Sequence, residues 1–174
     1  MKLPLPKGDL SNALVKHFSS TGAVHTEGIT AVEPTSVMDF HLSLWMLYEL
    51  HGGGFTDVSA AEEWNPELIS LRTRLEEQFE VELRSRFNDP QLSDPFGNAL
   101  FDYINSFEGL SIAQFVKSKA KEAQARELIK YRSIYHLRES DPMAWAIPRL
   151  PYGPKAALAE LQYDEFGQGK RDRL

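Results

Sequence analysis

The stretch Ser36-Val37-Met38-Asp39-Phe40-His41-Leu42-Ser43-Leu44-Trp45-Met46-Leu47-Tyr48-Glu49-Leu50-His51, followed by Gly52-Gly53-Gly54, decides the fold class. Ser36 is a good N-cap, because its hydroxyl can accept from an amide of the first turn, and the three glycines after His51 end the pattern. Between them Val37, Phe40, Leu44 and Leu47 make one apolar stripe at helical spacing. Leu42, Trp45, Met46 and Leu50 make a second, so this helix packs on two sides and belongs to a core. Strands need alternation with a period of two, and no convincing run of it occurs anywhere in the chain. The reading is all-α.

Outward from this helix, Asn65 and Pro66 form a start signal, and Leu68, Leu71, Leu75, Phe79 and Leu83 recur at helical spacing behind them. Residues 88–98 hold two Asp-Pro pairs and a glycine, which marks a loop and a boundary between sub-bundles. A short helix through Leu100, Tyr103 and Ile104 follows. Ser111 then caps one long helix expected to reach Glu139, Asp141-Pro142 is a stop and restart, Pro154 begins the last helix, and Gly167 ends it. The expected layout is a single helical domain: an arm and short helix over 1–35, accessory helices over 36–110, and core helices over 111–174.

A chain of 174 residues, 42% hydrophobic and 25% charged, can bury one substantial core. Cysteine is absent, which excludes disulfides, thiolate metal sites and cysteine nucleophiles, so any metal here is held by His, Asp and Glu. A net charge of -6 offers little to phosphate, and no run of about 18 apolar residues suggests a membrane span. Neither a nucleic acid nor a membrane is expected as a partner. The Leu- and Pro-containing start, Met1 to Ser11, lacks the apolar run of a signal peptide, and a cytoplasmic protein is expected.

No phosphate-binding glycine loop, His-Glu-x-x-His motif or serine elbow is present. The lysines and arginines from Lys117 to Arg132 are interrupted by Glu122 and Glu127, as on a solvated helix face. His41, Trp45 and Glu49 share one helix face, for which a hydrogen-bonded core role is the plainer reading beside a pocket or a metal site. The C-terminal third is richer. His136 and Glu139 lie three residues apart, and Glu160, Asp164 and Glu165 crowd the last helix. Carboxylates converging from two helices are what a dinuclear iron site requires, since they offset the metal charge and can bridge two ions.

Two blocks carry a resemblance. One runs Tyr48-Glu49-Leu50-His51 through Phe55 to Glu63-Trp64-Asn65-Pro66 and the helix after it. The other is Tyr135-His136-Leu137-Arg138-Glu139-Ser140-Asp141-Pro142, then Trp145-Ala146-Ile147-Pro148-Arg149-Leu150 and Gln162-Tyr163-Asp164-Glu165-Phe166-Gly167-Gln168-Gly169. Together they resemble the iron-containing redox enzyme branch of the haem-oxygenase-like diiron oxidases and oxygenases, along nearly the whole chain. That resemblance implies a haem-oxygenase-like helical bundle in which two iron ions activate dioxygen to oxidise a small organic substrate. By position it makes Glu139 and Glu165 metal ligands. Proximity alone, apart from the resemblance, makes Tyr135 and His136 groups expected to orient Glu139. The family also places a histidine soon after the glycine turn and further ligands on later helices, none of which is found here. The bundle is therefore expected to be incomplete at its C-terminus, with weak or absent iron binding, and its uncovered faces imply a homodimer. Met143, Gly53 and Gly54 depart from the family pattern. The alternative from a different class is a non-catalytic helical binding or interaction module.

Overall fold

The computed structural model describes residues 1–20 and 28–173, and among them it is helical with no strand. Eight α-helices follow in order: α1 (Asp9–Ser19), α2 (Val37–His51), α3 (Pro66–Arg86), α4 (Phe96–Asn105), α5 (Ile112–Ser118), α6 (Glu122–His136), α7 (Ser140–Ala144) and α8 (Tyr152–Glu165). Short 3-10 turns link several of them. The backbone divides into an N-terminal unit, Met1–Pro90, and a C-terminal unit, Gln91–Leu174. The division falls inside the Asp-Pro loop that the sequence marks as a boundary.

Three of the expected starts are where the capping chemistry puts them, while α8 begins at Tyr152 rather than at Pro154. Ser36 Oγ accepts from the Asp39 amide at 3.1 Å, Asn65 Oδ1 from the Glu67 amide at 3.1 Å, and Ser111 Oγ from the Gln114 amide at 3.1 Å. Each satisfies an amide that the first helical turn leaves without a partner.

In the N-terminal unit, α2 packs between α1 and α3. Leu10 and Leu14 of α1, Met46 and Leu47 of α2, and Leu68, Leu71 and Leu75 of α3 are all buried, with Phe18, Ile29, Leu44 and Phe55 closing the cluster. Burying each leucine is worth about 1.5–3 kcal/mol, and this tertiary packing rather than helix propensity is what holds the three helices together. The α1 start is tied to α2 by one carboxylate. Asp39, fully buried, accepts from the amides of Leu10 at 3.1 Å, Ser11 at 2.8 Å and Thr35 at 3.0 Å. Gly8 makes this approach possible, since a Cβ there would lie 2.3 Å from Asp39 Oδ2 and 2.2 Å from Thr35 Oγ1.

The C-terminal unit is organised differently. Here α7 and α8 pack on each other, and α8 also meets the 3-10 turns at Ile147–Arg149 and Gly167–Gly169. The expected single helix from Ser111 to Glu139 is two helices. After α5, the amides of Lys119 and Ala120 both turn back to the Phe115 carbonyl, at 2.8 and 2.9 Å. Gln124 Oε1 then accepts from the Lys121 amide at 3.0 Å and starts α6 afresh. Side-chain capping by Gln124 competes successfully with helix continuation, although no glycine or proline marks the place. The second break also comes earlier than expected, at Leu137–Glu139, while Pro142 sits in the first turn of α7, where a proline leaves no helical bond unmade.

Candidate metal centre

Glu139 therefore does not extend the helix that carries Tyr135 and His136. It precedes α7, half-buried, in a helical backbone conformation. Glu165 is the last residue of α8 and is exposed. Packing of α7 on α8 brings the neighbour of Glu139 to Glu165: the hydroxyl of Ser140, the residue after Glu139, donates to Glu165 Oε2 at 3.5 Å. The start of the short helix and the end of the long one thus meet.

Tyr135 and His136 part ways. The Tyr135 hydroxyl donates to Glu139 Oε1 at 3.3 Å, and the negative charge of Glu139, then this hydrogen bond, raises the phenol above its ordinary pKa. His136 turns back along α6 instead, with Nε2 3.1 Å from Arg132 Nη2. Arginine is always a donor, so Nε2 is the acceptor, and the imidazole engages a cation rather than Glu139.

Two residues that sequence reasoning passed over stand out beside these. Ser140 has just been placed. Gln162, one turn before Glu165 on α8, is 4% exposed, and neither its Oε1 nor its Nε2 has a hydrogen-bond partner. A buried carboxamide with both ends unmatched is uncommon and calls for a reason. The spacing that relates it to Glu165 is legible in the sequence; its burial is not. Behind Glu165 the chain turns sharply through Gly167, whose φ of +63° suits glycine, and a Cβ there would stand 2.8 Å from the carbonyl carbon of Arg173.

As a donor set for iron, this corner is partial. It offers two carboxylates and a hydroxyl, and no imidazole. Among the described residues no three His, Asp or Glu side chains come together to hold a metal ion. The pair alone does not fit a two-iron site, and no reaction step follows from it.

The histidines of α2 serve packing and local ties. His41 is exposed, its ring set edge-on against Phe40 and Phe79 at 5.2 and 5.5 Å, so the hydrogen-bonded core role expected for it does not hold. His51 Nδ1 stands 3.2 Å from Glu63 Oε1, and Arg72 donates to its Nε2. Nearby, the Tyr48 hydroxyl donates to Glu76 Oε1 at 2.7 Å; burial first, and then the Glu76 carboxylate, push its pKa up to about 12.

Residues 126–174 match the family described as iron-containing redox enzyme. The matched segment is well under half of the chain, and it contains Tyr135, His136, Glu139, Ser140, Gln162 and Glu165. It takes in α7, α8 and most of α6, whereas the first block of resemblance, around Tyr48–Phe55 and Glu63–Pro66, lies outside it. No curated protein and no solved structure matches this chain. The all-helical architecture agrees with the helical, haem-oxygenase-like fold of this enzyme family. No described helix is long and apolar enough to cross a membrane.

Proposed function

We propose that this chain carries the carboxylate side of the iron centre of an oxidase that uses dioxygen on a small organic substrate. Glu139 and Glu165 are the iron ligands in this reading, and Tyr135 holds Glu139 in place through its hydroxyl. The imidazoles and remaining carboxylates come from outside the described residues. Iron, when bound, supplies the dioxygen chemistry; the chain's own contribution is negative charge, hard oxygen donors and their orientation. The observation that carries the reading is that the segment matching the iron-containing redox enzyme family includes both glutamates, in a corner where Ser140 already links the two elements bearing them.

Anaerobic Fe(II) titration tests it. The chain by itself should bind Fe(II) weakly, because two carboxylates without imidazole partners do not enclose a dinuclear site. Glu139→Gln and Glu165→Gln should each weaken that binding further. Equal Fe(II) affinity in both variants and in the unaltered chain would remove the two residues from the centre. Tight uptake of two irons would show that the donor set is more complete than the geometry indicates.

A second reading, a helical interaction module, draws on a separate observation: large apolar side chains of α4 and α6 stand open to solvent.

A further inference from the structure

We draw no further inference here: the strongest candidate, the His17 imidazole near the end of α1, held by Glu62 Oε2 at 2.9 Å with its Nδ1 unmatched beside a surface pocket lined by Lys16, Ser20, Gly28, Ile29 and Val32, carries nothing, because that nitrogen is itself buried and the pocket borders the stretch outside the described residues, so nothing in the structure shows what meets it.

Discussion

Removing the Asp39 carboxylate should uncouple α1 from α2 and cost more stability than any surface change in the N-terminal unit. In the structure this one side chain accepts from three backbone amides, Leu10, Ser11 and Thr35, and from the Thr35 hydroxyl at 3.3 Å. Leu10 and Ser11 lie in the first turn of α1, where Gly8 has no side chain to cap them, so Asp39 does the capping from another helix. Each buried amide left without an acceptor costs about 1–3 kcal/mol, and the three are not additive because water will reach some of them. Asp39→Ala should therefore lose about 3–5 kcal/mol, and Asp39→Asn about 2–3 kcal/mol, since the amide keeps one acceptor oxygen but turns a donor toward donors. Burial pushes the Asp39 carboxyl upward, and the hydrogen bonds from Ser11, Thr35 and Leu10 outweigh it, leaving its pKa below the ordinary 3.8. Its contribution is thus fully present above that ordinary value and is lost as pH falls through the lower folded value. Urea unfolding followed by tryptophan fluorescence and circular dichroism, at pH 7 and at stepped pH below 4, gives both quantities. An Asp39→Ala loss below 1 kcal/mol, or an unchanged acid slope in Asp39→Asn, would refute the reasoning.

Four further outcomes are expected. Gln162→Met replaces an orphaned buried carboxamide with an apolar chain of similar shape, so it should stabilise the chain by about 1–2 kcal/mol, read as a rise of a few degrees in Tm; a fall would mean that Gln162 has a partner. Gly8→Ala should destabilise the α1 start by roughly 1–3 kcal/mol, because the added Cβ collides with Asp39 and Thr35, and a melting temperature equal to the unaltered chain would contradict the packing. A cation held by Glu139 offsets the charge that raises Tyr135, so Fe(II) or a redox-silent divalent stand-in should move one phenol titration downward, and Tyr135→Phe should abolish that shift in ultraviolet difference spectra. Tyr48 should ionise last, near its folded pKa of about 12, and Glu76→Gln should bring that transition down; a tyrosine titration with no late component would rule out the Tyr48–Glu76 bond.

Helix starts were the most legible part of this chain, because capping is chemistry between residues two or three positions apart. Ser36, Asn65 and Ser111 each cap where spacing places them, and the α2 and α3 cores carry most of the residues that periodicity selects, though Val37 and Leu83 near the helix ends are exposed. The loss of the long helix was not legible in the same way. Its first break is marked by Gln124 folding back onto the Lys121 amide, a local capping bond that no punctuating residue announces. Its second break moved Glu139 off the face it was expected to share with His136. Tyr135 still reaches that carboxylate, while His136 is taken by Arg132.

The residue types fix helical periodicity, the absence of thiol chemistry and the positions of Glu139 and Glu165, since all three depend on identity and short spacing alone. Tertiary packing decided the rest. Only the contact of α7 with α8 brings Ser140 against Glu165 across 25 positions, and only burial turns Gln162 into an unmatched polar group. Only exposure shows that the amphipathic α4 turns its apolar face outward. Periodicity tells which side of a helix is apolar, but what that side faces depends on distant parts of the chain or on another molecule, and no local interaction encodes it.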